Sequence, residues 1–118
     1  MVSVVIDDDV SKAADVVRQS LGFYIGGMGA RDVNFHANLF ERMGYEKEVH
    51  EIQDLFLAGK TAEAIAKVPL ALVEDVALVG PPAKVRDELE RWSETCVTSL
   101  LINGSPDHLR QVADLAWN

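Results

Sequence analysis

The residues able to do chemistry fall into a few small groups. Asp7-Asp8-Asp9 follows the first apolar run, where three carboxylates could hold Mg²⁺. Consecutive residues on an extended chain point to opposite sides, however, and helix starts favour Asp, so capping and solvation are the better reading. His36, His50 and His108 are far apart and lack the i, i+4 pairing of a helical metal site. His50, among Glu46, Glu48 and Glu51, and His108, after Pro106, read as surface residues. His36 stands out only because it neighbours a glycine-rich run. Cys96 has no histidine paired with it in sequence and reads as a buried, inert thiol. Asn103-Gly104-Ser105 matches a glycosylation sequon, but a turn with a serine helix cap explains it better. Two backbone features remain. Gly26-Gly27-Met28-Gly29 could bring amides free of side chains up to a phosphate or a ring, with a turn at positive φ as the competing reading. Gly80-Pro81-Pro82 places a helix N-terminus at the end of an apolar run, which favours an anion although the prolines remove amide donors.

These groups must be positioned by the elements around them. Three short apolar runs read as strands: 2–6, 76–79 and 97–102, the last being Val97-Thr98-Ser99-Leu100-Leu101-Ile102. Short unbroken apolar runs on either side of an amphipathic helix are the mark of parallel strands buried on both faces. The spacing predicts a helix after Asp9 with Val10, Ala13, Ala14, Val17 and Leu21 on one face, ending at Gly22. Three glycines in four residues then argue against a regular helix over 23–29.

A middle section without strand signal reads as an inserted helical section. Phe35, Leu39, Phe40 and Met43 give one apolar face stopped by Gly44, and Val49, Ile52 and Phe56 give a second stopped near Gly59. Thr61 caps a third helix through Lys67, and Pro69 opens a brief turn. Val85, Leu89 and Trp92 share a face of the helix between the second and third runs. A last helix starts at Pro106 with Ser105 as its cap and Leu109, Val112, Ala113 and Ala116 toward the core. Trp92 and Trp117 both read as packing residues. The expectation is one α/β domain over 1–118, with three parallel strands ordered as in the sequence.

Composition narrows the function classes. With 118 residues, 48% of them hydrophobic and 25% charged, the chain suits one globular domain. A net charge of −8, with 11 scattered Lys and Arg, argues against nucleic acid. A single cysteine allows no internal disulfide, and no apolar run approaches a membrane span, so the chain reads as cytoplasmic and membrane-free.

The wording of three stretches carries further. Phe23-Tyr24-Ile25-Gly26-Gly27-Met28-Gly29-Ala30-Arg31-Asp32-Val33-Asn34-Phe35, then Arg42-Met43-Gly44-Tyr45, then Val76-Ala77-Leu78-Val79-Gly80-Pro81-Pro82 resemble the luciferase-like monooxygenase superfamily, and within it the oxidoreductases that use the deazaflavin coenzyme F420. The resemblance covers nearly the whole chain but only the C-terminal third of a family member. Cys96 departs from it, standing where glycine is expected. Members are (β/α)₈ barrels, so the resemblance implies a partial TIM barrel whose three strands would be the sixth to eighth.

The same resemblance implies coenzyme F420 or FMN as cofactor. It assigns Gly26, Gly27 and Gly80 to cofactor contact and Tyr24, Met28 and Asn34 to the substrate side. The family's catalytic residues have no counterpart here, so no catalytic residue is assigned. The chain is expected to be a fragment or truncated oxidoreductase, inactive alone. Its expected partners are a second copy or the absent N-terminal barrel part. The alternative is an autonomous small α/β protein that binds a ligand or partner without catalysis.

Overall fold

The computed structural model describes residues 1–29 and 33–117. Ala30, Arg31 and Asp32, which continue the glycine-rich motif, lie outside the described residues, as does Asn118. The chain forms two compact units: Met1–Ala14 with Glu74–Asn118, and Asp15–Val73.

The first unit holds the sheet. Strand β1 (Ser3–Ile6) pairs in parallel with β2 (Ala77–Gly80), in the register Ser3↔Ala77 to Ile6↔Gly80. All four residues of β2 are buried, as expected for a parallel strand covered on both faces. Helices α6 (Pro82–Trp92) and α7 (Pro106–Trp117) follow. Val2, Val4, Leu78, Val85 and Val112 form the core, with Ile6, Leu89, Trp92, Leu100, Ile102 and Leu115 packed on it.

The third expected strand does not form. Residues 97–102 carry no ladder, and Leu101 O accepts a single backbone hydrogen bond from Val2 N at 2.9 Å. Contact with the start of β1 also departs from the sequence order expected of the strands. The physical reason is that side-chain alternation reports burial, whereas a strand also needs a neighbouring edge to pair with. Three further expectations fail here. Val76 ends a helix rather than opening β2, Cys96 is exposed, and Trp117 is 82% exposed.

The second unit is helical. It contains the rest of α1 (Val10–Gly27), α2 (Phe35–Phe40), a π-helical turn (Glu41–Tyr45), α3 (Glu46–Leu57), α4 (Thr61–Ala66) and the start of α5 (Leu70–Val76). Helix α1 does not end at Gly22; it runs through the supposed irregular segment to Gly27. Packing explains this. A Cβ at Gly22 would stand 2.8 Å from Ile65 Cγ1, and one at Gly26 would stand 2.6 Å from Phe56 Cγ. Both glycines let a neighbouring helix approach, a gain that offsets the roughly 1 kcal/mol each costs in helix propensity.

Gly44, at φ 102°, breaks the helical path with a kink, and Gly59, at φ 78°, follows the end of α3, so helices stop at both as the sequence suggested. Val49 and Ile52 are fully buried; of the other expected face Phe40 is buried as expected, whereas Phe35, Leu39 and Met43 are exposed and Ala37 joins Phe40 inside. Thr61 is the first helical residue, preceded by Lys60 with no side-chain cap. Among the described residues no helix is long and apolar enough to cross a membrane.

Candidate functional site

The glycine-rich motif is built from the end of α1. Gly26 and Gly27 occupy its last turn, half-buried beneath Phe56, and Gly29 follows at φ 111°. Their amides therefore belong to a helix rather than to an open loop. Asn34 secures this end. Its Nδ2 donates to Tyr24 O at 3.0 Å and Ile25 O at 2.8 Å, while its Oδ1 accepts from Ala37 N at 3.0 Å as the N-cap of α2. One side chain thus satisfies orphan groups at two helix ends, which accounts for a polar residue only 1% exposed.

Above it lies an aromatic surface. The Tyr24 ring stacks on His36 with centroids 4.6 Å apart at 33°, and Phe23 meets both Tyr24 and Phe56 edge-on. Tyr24, His36 and Met28 are exposed. This surface offers a face to a planar ring, with a phenol and an imidazole as polar edges. The sequence flagged His36 only for its position; its contact with Tyr24 spans 12 residues and has no local signal. Gln53 was missed altogether. It is 3% exposed, its Nε2 reaches Ile25 O at 3.4 Å, and its Oε1 has no partner. The void bounded by Gly26, Gly29, Gln53 and Leu57 is about 10 Å³, the size of one water.

The Gly80 site lies in the first unit. Gly80 ends β2 at φ 130°, Pro81 and Pro82 open α6, and a Cβ at Gly80 would meet Lys84 Cδ at 2.9 Å. The Lys84 chain therefore folds over Gly80. Its Nζ donates to Val79 O at 2.8 Å and Glu88 Oε1 at 2.7 Å, and pairs with Glu74 Oε2 at 3.2 Å. Burial works against the ammonium charge, but the hydrogen bonds and charges of Glu88 and Glu74 outweigh it and hold the pKa above the ordinary 10.5. Lys84, in the first turn of α6, is thus already neutralised by two carboxylates.

The remaining candidates sort quickly. Asp9 Oδ1 accepts from Ser11 N at 2.9 Å and Lys12 N at 3.3 Å, and Asp7 Oδ1 from Asp9 N at 2.8 Å, so the acidic run caps α1. His50 Nε2 lies 3.3 Å from Glu41 Oε1. No group of three or more His, Cys, Asp or Glu is placed to hold a metal among the described residues. Ser105 Oγ accepts from His108 N at 3.3 Å, as its capping role requires. An open, mostly apolar cavity of about 510 Å³ lies between residues 98–102 and helices α6 and α7, with Leu109, Val112, Ala113 and Ala116 on its wall.

Comparison with known proteins gives the same direction as the sequence motifs. Residues 1–99 match the family described as luciferase-like monooxygenase. A Mycobacterium tuberculosis protein (strain ATCC 25618 / H37Rv), provisionally named a coenzyme F420-dependent oxidoreductase, is 39% identical over 113 residues. That match covers 95% of this chain and 33% of the relative, so the chain spans about a third of its length. No solved structure matches.

Proposed function

The chain belongs to the luciferase-like monooxygenase family, and we propose that it is part of an F420- or FMN-dependent oxidoreductase, lining one side of the cofactor site without carrying the chemistry. Coverage carries this reading: nearly the whole chain aligns with a relative of which it spans only 33%. The family implies a TIM-barrel-type fold, and a parallel pair with flanking helices suits one section of such a barrel.

The residues fit contact with one face of a ring and do not fit an enclosing pocket. Tyr24 and His36 present a stacked aromatic surface, Met28 lies exposed in the turn after it, and Asn34 holds the backbone beneath Tyr24. Gly26 and Gly27 let that surface sit close over α3. The void beside them admits one water, not a ring. A bound deazaflavin or flavin would supply hydride transfer, which requires the reacting atoms to be held about 3–3.5 Å apart in a closed site. No step of that reaction is assigned to these residues. Gly80 and the α6 N-terminus take the phosphate end, weakly, because Lys84 is already committed to Glu74 and Glu88. A second copy or the rest of a barrel completes the assembly.

The test is titration with oxidised and reduced deazaflavin and with FMN, followed by visible absorbance and intrinsic fluorescence. Weak binding is expected, with a Kd on the order of 1 mM, and Tyr24→Ala should weaken it further. Micromolar binding, or turnover with any carbonyl or enone acceptor, would overturn this reading.

A further inference from the structure

We propose that Asn103-Gly104 is a self-modifying site. The Gly104 nitrogen attacks the Asn103 side-chain amide, with the His108 imidazole beside it as proton acceptor, and the asparagine becomes aspartate or isoaspartate. The site lies wholly in the first unit and is independent of the cofactor reading above.

Three features of the chain meet at this point. Asn103 is followed by glycine, whose missing side chain leaves its nitrogen least hindered for attack, whereas Asn34 precedes Phe35 and Asn38 precedes Leu39. Residues 97–105 form no helix, strand or turn, and Asn103, Gly104 and Ser105 are exposed. No regular structure therefore fixes the Asn103 ψ, which must swing to bring the Gly104 nitrogen over Asn103 Cγ. Hydrogen bonding does not hold the reacting groups back. The Gly104 N–H has no partner among the described residues, and the Asn103 amide makes one contact there, from Nδ2 to the weakly accepting Met1 Sδ at 2.9 Å. The third feature is the His108 imidazole, which lies against the glycine. A Cβ added to Gly104 would stand 2.4 Å from His108 Cδ2 and 3.1 Å from its Cγ. The first turn of α7 sets the ring there, fixed where Ser105 Oγ accepts from His108 N at 3.3 Å. A neutral imidazole in that place can accept the Gly104 proton as the nitrogen attacks.

The step balances without a redox partner. The bond from Gly104 N to Asn103 Cγ forms, the Cγ–Nδ2 bond breaks, and the departing nitrogen takes the Gly104 proton, by way of His108, to leave as ammonia. Water then opens the cyclic imide. Cleavage of the new N–Cγ bond gives aspartate, whereas cleavage of the original peptide bond leaves Gly104 joined through Cγ, an isoaspartate with one extra carbon in the backbone. Either product adds a carboxylate to a chain already at −8. Ile102, which packs on the core, and Ser105, the cap of α7, flank the site. Isoaspartate therefore lengthens the link between core and cap, and aspartate leaves its length unchanged. The fold shields two other asparagines from this reaction. Asn38 lies inside α2, and Asn34 is buried with Nδ2 committed to Tyr24 O and Ile25 O.

Warm incubation of the 118-residue chain at mildly alkaline pH reads the reaction, by peptide mapping with mass spectrometry and by labelling with an isoaspartyl methyltransferase. The peptide holding Asn103 should gain about one dalton as NH₂ gives way to OH, with ammonia released in equal amount and isoaspartate labelled. Peptides holding Asn34 and Asn38 should keep their mass. His108→Gln should slow the conversion about fivefold or more, with circular dichroism unchanged. Urea should slow the wild type to the rate of that variant, because unfolding takes the imidazole away from the glycine. Asn103→Gln, which would have to close a larger ring, should abolish the conversion. An Asn103 peptide of unchanged mass overturns the proposal, as does equal conversion at Asn34 or Asn38. A rate that neither His108→Gln nor urea alters also overturns it, since the sequence would then react without help from the fold. None of these outcomes depends on whether a deazaflavin binds.

Discussion

Gly26→Ala separates a packed glycine from a merely flexible one. In an uncrowded helix this change stabilises by about 0.8–1 kcal/mol, because glycine loses more backbone freedom on folding. At this site the added methyl would lie 2.6 Å from Phe56 Cγ and 2.7 Å from its Cβ and Cδ2. Carbon atoms prefer about 3.5–4.0 Å, so roughly 1 Å of clearance must be found. The Phe56 Cβ is fixed to the α3 backbone, so rotating the ring cannot relieve that contact. Overpacking of this kind costs about 1–3 kcal/mol, and with the propensity gain subtracted the net loss is about 0–2 kcal/mol. For a domain of this size that lowers Tm by up to about 10 °C.

Thermal and urea unfolding would measure the loss, and a double-mutant cycle with Phe56→Ala would locate it. Removing the ring deletes two of the three colliding atoms, so the Gly26→Ala penalty should shrink by about 0.5 kcal/mol or more. A rise in Tm on Gly26→Ala would refute the packing argument outright. A penalty unchanged by Phe56→Ala would refute its assignment to α3 and restore a backbone explanation.

Two further outcomes follow from single side chains. Lys84→Met should destabilise by about 1–2 kcal/mol through loss of charged hydrogen bonds. Because the folded-state pKa of Lys84 is raised above 10.5, its contribution is full below that value and disappears as the pH climbs past it. The stability gap between wild type and variant in urea titrations should therefore stay level up to about pH 10 and narrow above; narrowing below neutrality would contradict the assignment. Asn34→Leu strands Tyr24 O and Ala37 N, leaves Ile25 O only the long contact from Gln53 Nε2, and should cost about 2–3 kcal/mol. A loss under about 1 kcal/mol would show that the two helix ends do not depend on this bracket.

The local signals that the sequence carried were those set by neighbouring residues. A cap for α1 at Asp9 or Ser11, which the structure gives to Asp9, Pro82 opening α6 and Ser105 before Pro106 were legible because a cap acts within one turn. The stops at Gly44 and Gly59 were legible for the same reason, since positive φ is a property of the residue itself. The glycines of the 26–29 motif misled because glycine has two uses, chain reversal and close approach, that look identical in a string of letters. Only the position of Phe56, 30 residues on, shows which applies at Gly26.

The same division runs through the candidate site. Composition and motif wording were enough to point to an α/β chain of the luciferase-like family with parallel strands, three by the apolar runs, of which only the first two pair. Tertiary structure alone decided that His36 stacks on Tyr24, that Asn34 spends its amide on two helix ends, and that Lys84 lies between Glu74 and Glu88. It also decided the fate of residues 97–102. Their alternation says which side chains can be buried, but backbone hydrogen bonds make a strand only when a second edge lies alongside, and a partner's position is not written in the run itself.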